Sequence, residues 1–305
     1  MRLVFAGTPS AAVPTLRRLA AEHDIAAVVT RPDAPFGRQR ILTPSAVAQV
    51  AEELSIPVVK AARLDEVVTA EIAAVKAELG VIVAYGGLVR EPLLSMPDHG
   101  WINLHFSLLP SWRGAAPVQR ALIAGDAELG ASVFQLVPEL DAGDIFATRV
   151  IDVPAASTAD AVLDMMADAG AQLTAEVVAG IASGTAVAVP QEGMPTFAPK
   201  LVLDDGALEW TEPLDRVFAR FRGVTPEPGA HTSIDGLRVK ILEASPTDAA
   251  SLAPGEIAAT KTALLIGTAT HPLAVSRVQP AGKGAMSAVD WWRGQRSKDG
   301  MRAGS

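Results

Sequence analysis

Cysteine is absent from all 305 residues. That excludes structural disulfides, thiolate-held zinc and a cysteine nucleophile together. The five histidines, His23, His99, His105, His231 and His271, are scattered without an HExxH pair, so no metal is expected. No apolar run approaches the roughly 20 residues that a membrane span requires. Neither GxGxxG nor GxSxG occurs, so nothing points to a dinucleotide site or a serine elbow. Internal repeats are also missing.

What is present suits a folded protein of two domains: 49% of residues are apolar, enough to bury a sizeable core. The opening Met1–Ala6 is interrupted by Gly7-Thr8-Pro9-Ser10, so it reads as the first strand of a cytoplasmic protein and not as a signal peptide. The net charge of −8 is unevenly spread. Residues 1–203 hold 14 Lys and Arg against 22 Asp and Glu, whereas 204–305 hold 12 of each. From Arg277 onward six basic residues face two acidic ones, which makes the C-terminal part the better place for a polyanion; a solvated basic tail is the alternative.

Strand-like runs at Leu3–Ala6, Ile25–Thr30, Ile56–Val59, Gly80–Ala84, Trp101–Phe106, Ser132–Val137 and Ile145–Val150 are interleaved with amphipathic stretches such as Ser10–Glu22, Ser45–Leu54 and Ser157–Ala182. This alternation predicts an α/β fold, a Rossmann-like, mostly parallel sheet with helices on both faces. Ser183–Leu203 carries three prolines and little periodicity, which suggests a linker. The organisation expected is therefore a first domain over 1–188, a linker over 189–205 and a β-rich C-terminal domain over 206–305. In the latter, Pro213–Arg222 reads as a short helix, and Asp235-Gly236 as a hairpin turn between His231–Ile234 and Leu237–Leu242. Further short strands and a helix from Ser287 complete a small β-barrel-like module, similar to an OB-fold.

Trp101-Ile-Asn-Leu-His-Phe-Ser107 carries the chemistry. Alternate side chains of a strand share a face, so Asn103, His105 and Ser107 lie opposite Ile102, Leu104 and Phe106. Three polar groups in register at the end of such a strand indicate either a polar crevice, where α/β sheets place ligands, or an edge strand with one solvated face. A proline-stiffened loop, Ser107–Gly114, follows, and Asp141-Ala-Gly-Asp144 lies some thirty residues on. An amide and an imidazole can stabilise a tetrahedral oxyanion. A carboxylate can orient the imidazole, favour its protonated form and relay a proton. With no elbow serine and no cysteine, the nucleophile belongs to the substrate.

Asn103-x-His105-x-Ser107-Leu-Leu-Pro110 with the later Leu140-Asp141-x-Gly143-Asp144 resembles the 10-formyltetrahydrofolate-dependent formyltransferases. Other segments resemble the branch acting on methionyl-tRNA: Val4–Pro9, Arg31-Pro32-Asp33 with Gly37-Arg38, Leu42–Ser45, Arg113–Gln119 and Gln279–Lys283. The resemblance spans nearly the whole chain. It implies transfer of the formyl group of 10-formyltetrahydrofolate, a cosubstrate, to the amine of methionine on initiator methionyl-tRNA, for translation initiation. A sugar nucleotide or small amine is the alternative acceptor. Asn103 and His105 would hold the oxyanion, with Asp141 paired to His105. Ser107, Leu108, Leu109 and Pro110 would lie against the folate, with Tyr85–Val89 and Leu136–Asp144 around its pocket. Leu108 and Leu109 serve equally well as core residues, and Asp144 as a cap. The basic stretch Arg31–Arg40, read as a loop, would offer Arg38 and Arg40 to the tRNA. Gln39 and Ile41 depart from the lysine-rich loops of some relatives, which bears on the number of phosphate contacts; Ser111 and Ala142 depart from a basic residue and Thr without touching the proposed catalytic groups. A cytoplasmic monomer is expected, with no metal.

Overall fold

The structure is a computed structural model that describes residues 1–37, 39–295, 298 and 300–304. Two units divide the chain. The first holds Met1–Pro117, Glu128–Asp152 and Leu163–Ala198; the second holds Val118–Ala127, Val153–Val162 and the segment from Pro199 onward.

The first unit opens with β1 (Arg2–Gly7), α1 (Val13–Glu22) and β2 (Asp24–Thr30). A short hairpin of β3 (Ala34–Phe36) and β4 (Ile41–Thr43) follows, where the sequence alone suggests a loop. Then come α2 (Ala46–Glu53), β5 (Val58–Lys60), α3 (Glu66–Ala74), β6 (Leu79–Val83) and β7 (Trp101–His105). β8 (Arg113–Gly114), α4 (Pro117–Ala124), β9 (Leu129–Gln135), β10 (Ile145–Ile151), α5 (Ala159–Ala182) and β11 (Phe197–Ala198) continue the chain. All seven strand-like runs enter one sheet, in the order β10-β9-β7-β6-β1-β2-β5. From β7 to β5 its neighbours are parallel, while β9 and β10 pair antiparallel.

Leu3, Val4 and Phe5 of β1 have no exposed surface, as expected of a parallel strand covered on both faces. Two of the helices, α2 and α3, are capped by side chains at their starts. Ser45 accepts the Ala48 N–H at 3.0 Å and Asp65 accepts that of Val68 at 3.1 Å. Such caps contribute about 1 kcal/mol each. β7 lies between β6 and β9, which rules out the edge-strand arrangement and puts Asn103 and His105 in the sheet interior.

The second unit is built around α6 (Leu214–Val224) and a six-stranded antiparallel sheet. Its strands are β12 (His231–Ile234), β13 (Leu237–Pro246), β14 (Ile257–Ala259), β15 (Leu264–Ile266), β16 (Leu273–Pro280) and β17 (Met286–Ser287). Between β12 and β13, Asp235 (φ 52°) and Gly236 (φ 70°) make the two-residue turn with both central residues left-handed. The terminal residues close the sheet. Ala303 donates to Gly255 O and Gly304 to Ser233 O, each at 2.8 Å, so the ends of the sheet meet as a small barrel. Trp210, Phe221, Trp291 and Trp292 fill it, with α7 (Ala288–Arg293) on one side. Residues of α4 join this unit: Arg120 holds Asp205 through two bonds, at 2.9 and 3.2 Å, and Arg216 donates to Ala124 O at 2.8 Å.

The stretch 189–205 has order of its own. Val189 and Ile145 exchange backbone bonds of 2.8 and 3.0 Å, and β11 pairs parallel with β8.

Candidate active site

β7 ends at His105, where the chain turns into the Ser107–Gly114 loop. Ile102, Leu104 and Phe106 are buried, as the alternation predicts. Of the polar trio Asn103 is partly exposed, whereas His105 is 6% and Ser107 4% exposed. The crevice is therefore narrower at the imidazole than the sequence suggests. The His105 and Phe134 rings meet edge to face, with centroids 6.4 Å apart and planes at 87°.

His105 has two partners. Its Nε2 lies 2.8 Å from the Trp112 carbonyl, and its Nδ1 lies 3.8 Å from Asp141 Oδ2. A carbonyl can only accept, so Nε2 carries the hydrogen and Nδ1 is the nitrogen that titrates. At 3.8 Å the carboxylate acts on Nδ1 by charge or through one water, not by a direct hydrogen bond. Asp141 Oδ2 accepts the Gly114 N–H at 2.7 Å, which fixes the carboxylate.

Both partners sit on strained backbone. Trp112 has φ 62° and Asp141 φ 46°, the left-handed region that costs a bulky residue on the order of 1–3 kcal/mol unless its surroundings enforce it. Gly143 follows in the same turn, and a Cβ there would stand 1.7 Å from Gln135 O, so only glycine lets the Asp141 loop lie against β9.

The Ser107–Pro110 loop is tied inward. Ser107 Oγ donates to Ser111 O at 2.5 Å, Ser132 Oγ donates to Ser107 O at 2.7 Å, and Leu109 N donates to Ser132 Oγ at 3.1 Å. Leu109 is buried. Leu108 packs against Gly130. Tyr85 is buried too, its hydroxyl donating to Ala61 O at 3.2 Å.

Family models described as formyl transferase and formyl transferase, C-terminal domain, match residues 1–178 and 200–296. A methionyl-tRNA formyltransferase of Clavibacter sepedonicus is 61% identical over 301 residues, covering 98% of this chain and 99% of its own. This chain belongs to the methionyl-tRNA formyltransferase family. Two solved structures share the fold at 16% identity. One is an N-formyltransferase of Helicobacter canadensis in complex with folinic acid and dTDP-3-aminofucose (TM-score 0.69; 90% of this chain, 98% of that one). The other is HypX of Aquifex aeolicus in complex with tetrahydrofolic acid (TM-score 0.65; 95% and 46%).

In this formyltransferase burial pushes the His105 imidazole below its usual range, against the opposing pull of the Asp141 carboxylate and the Trp112 carbonyl. Desolvation wins, so the resting ring is neutral, whereas the carboxylate alone would have favoured the cation. A pH dependence of stability follows. Above the ordinary histidine value of 6.5 the ring is neutral folded and unfolded, and contributes no slope. Below it the unfolded chain takes up a proton that the folded ring refuses, so stability falls with pH until the folded value is passed. Melting the native chain and His105→Ala across that range should show a steeper acid-side loss in the native chain; parallel curves would contradict a depressed imidazole.

The structure brings Asn103, His105, Ser107–Pro110 and Asp141 to one end of the sheet, and adds Trp112, Gln191 and Thr196, which sequence reasoning missed. Arg40 is exposed, next to the β3–β4 hairpin. Arg38 lies outside the described residues. Arg31 is engaged with Ala62 O at 2.6 Å, and Asp33 with Lys60 at 2.7 Å.

Proposed function

We infer that the chain formylates methionyl-tRNA, with 10-formyltetrahydrofolate as donor. The acceptor is supported by the 61% identity to a methionyl-tRNA formyltransferase over nearly the whole chain; the observation that carries the chemistry is the His105 imidazole, neutral and fixed at Nε2, with Nδ1 turned to Asp141. The methionine amine attacks the formyl carbon, forming a C–N bond and a tetrahedral oxyanion. The Asn103 amide stabilises that oxyanion as it forms, and the imidazole adds its positive charge once it has taken up the amine's proton. The proton lost by the amine passes to Nδ1, and the nearby Asp141 carboxylate stabilises the resulting imidazolium. Breaking of the bond to N10 of the folate then returns the proton to that nitrogen. Ser107–Pro110 shape the wall against which the folate lies. Formylation for translation initiation places the reaction in the cytoplasm.

The acceptor is tested by choice. Offered methionyl-tRNA and a dTDP-amino sugar together, the enzyme should formylate the tRNA alone. Formylation of the sugar with the tRNA untouched would move the activity to the sugar-nucleotide branch and leave the chemistry standing.

Arg38 and Arg40 are the proposed phosphate-binding side chains. Replacing both with alanine should weaken tRNA binding and make its salt dependence shallower, by about 0.7–0.9 in log–log slope for each phosphate no longer neutralised. The folate KM should not move. Unchanged tRNA affinity at every salt concentration would leave this hairpin as ordinary solvated surface.

A further inference from the structure

We propose that Gln191 and Thr196 are positioning residues for the formyl-transfer site, acting together as a strap that holds both partners of His105. The inference deepens the reading above and rests on His105 and Asp141 being catalytic.

The side-chain amide of Gln191 is fully used. Its Nε2 donates to Asp141 O at 2.8 Å and to Gly143 O at 2.9 Å. Its Oε1 accepts from Arg113 Nη2 at 2.6 Å and Nε at 3.2 Å. One amide therefore clamps the turn that presents the Asp141 carboxylate and ties it to the loop after β7. Five residues on, Thr196 Oγ1 accepts the Trp112 N–H at 2.8 Å, and it is the Trp112 carbonyl that receives His105 Nε2.

The two bonds fall on the two places that need them. Trp112 and Asp141 are both left-handed, a conformation that persists for non-glycine residues only where neighbours over-determine it. The strap itself is anchored. Thr196 O accepts the Arg113 N–H at 2.9 Å, Val189 bridges Ile145, and β11 pairs with β8 directly after Thr196. Gln191 thereby sets the distance from Asp141 to Nδ1, and Thr196 sets the tautomer by fixing the carbonyl at Nε2. Neither side chain needs to touch a substrate.

The test uses the full chain in three variants, Gln191→Leu, Thr196→Val and Thr196→Ser, beside His105→Ala. Valine keeps the shape of threonine and loses the acceptor; serine keeps the acceptor. In Gln191→Leu and Thr196→Val kcat should fall about 10- to 100-fold, the scale of a small misplacement of catalytic groups. The KM values for folate and tRNA should hold. In both variants the His105 ring, followed by NMR without substrate, should titrate lower than in the native chain, because a group that raises its pKa has moved away. Thr196→Ser should restore both readouts. Cooperative melting of each variant is the control that it is folded. Folded Gln191→Leu and Thr196→Val with native kcat and native His105 titration would overturn the proposal. So would losses confined to KM. If His105→Ala turned over normally, the catalytic reading itself would fall, a result distinguishable because the NMR titration does not depend on turnover.

Discussion

His105→Ala should lower kcat by about 10²–10³-fold, the loss that removal of one oxyanion-stabilising group produces. The expectation comes from geometry: His105 sits at the end of β7 on the face it shares with Asn103, and its Nδ1 faces Asp141. Folding should survive. The alanine removes the bond to the Trp112 carbonyl and the T-shaped contact with the Phe134 ring, a cost on the order of 1–3 kcal/mol. Folate affinity should stay near native, because the Ser107–Pro110 loop is held by Ser132 and Ser111 and not by the imidazole. Near-native turnover in a folded variant would remove His105 from the mechanism.

Asp141→Asn keeps the shape and deletes the charge. The Gly114 N–H that the carboxylate accepts at 2.7 Å can still be satisfied by an amide oxygen, so the turn should keep its place. What disappears is the Coulombic support for protonated His105, needed only while the amine's proton is in transit. A group that matters mainly in the transition state lowers kcat and kcat/KM together, and about 10²-fold or more is expected. His105 should also titrate lower than in the native chain, since burial would then act with less opposition. A variant with native kcat and a raised folate KM would make Asp141 a folate-binding residue instead.

Much of the architecture was legible because its strands are short apolar or alternating runs between amphipathic stretches, so that Leu3–Ala6, Ile25–Thr30 and Trp101–Phe106 stood out without any neighbour. Asp235-Gly236 was legible because few residue pairs tolerate two successive left-handed conformations. The pair proposed for catalysis could be picked out from the alternation of Asn103 and His105 within one strand. Position was less legible than chemistry. The depth of His105 depends on Phe134 and Trp112, which reach it from other elements. The balance between burial and carboxylate that keeps the ring neutral is a three-dimensional quantity, and residue types alone favoured the cation.

Gln191 and Thr196 gave no signal at all. They stand in a proline-rich stretch whose bridge at Val189 and two-residue strand at Phe197–Ala198 are too short to leave a period. Nor could a linear reading see that residues 118–127 join the unit formed by Pro199 onward. A truncation after Leu203 would therefore remove Asp205 from Arg120 and the Arg216 bond from Ala124, dismantling part of that unit instead of detaching it.

The central claim is that the formyl group passes straight from donor to the substrate's amine, with no acyl-enzyme on the way. It rests on the absence of cysteine and of an elbow serine, and on a Ser107 hydroxyl that is buried and committed to Ser111 O. Rapid quenching of the enzyme with formyl-labelled 10-formyltetrahydrofolate tests it directly, first without acceptor and then within one turnover of methionyl-tRNA. Label should never appear on the protein and should pass to the tRNA at the single-turnover rate. A stoichiometric burst of formylated protein that decays as the tRNA is formylated would contradict the account.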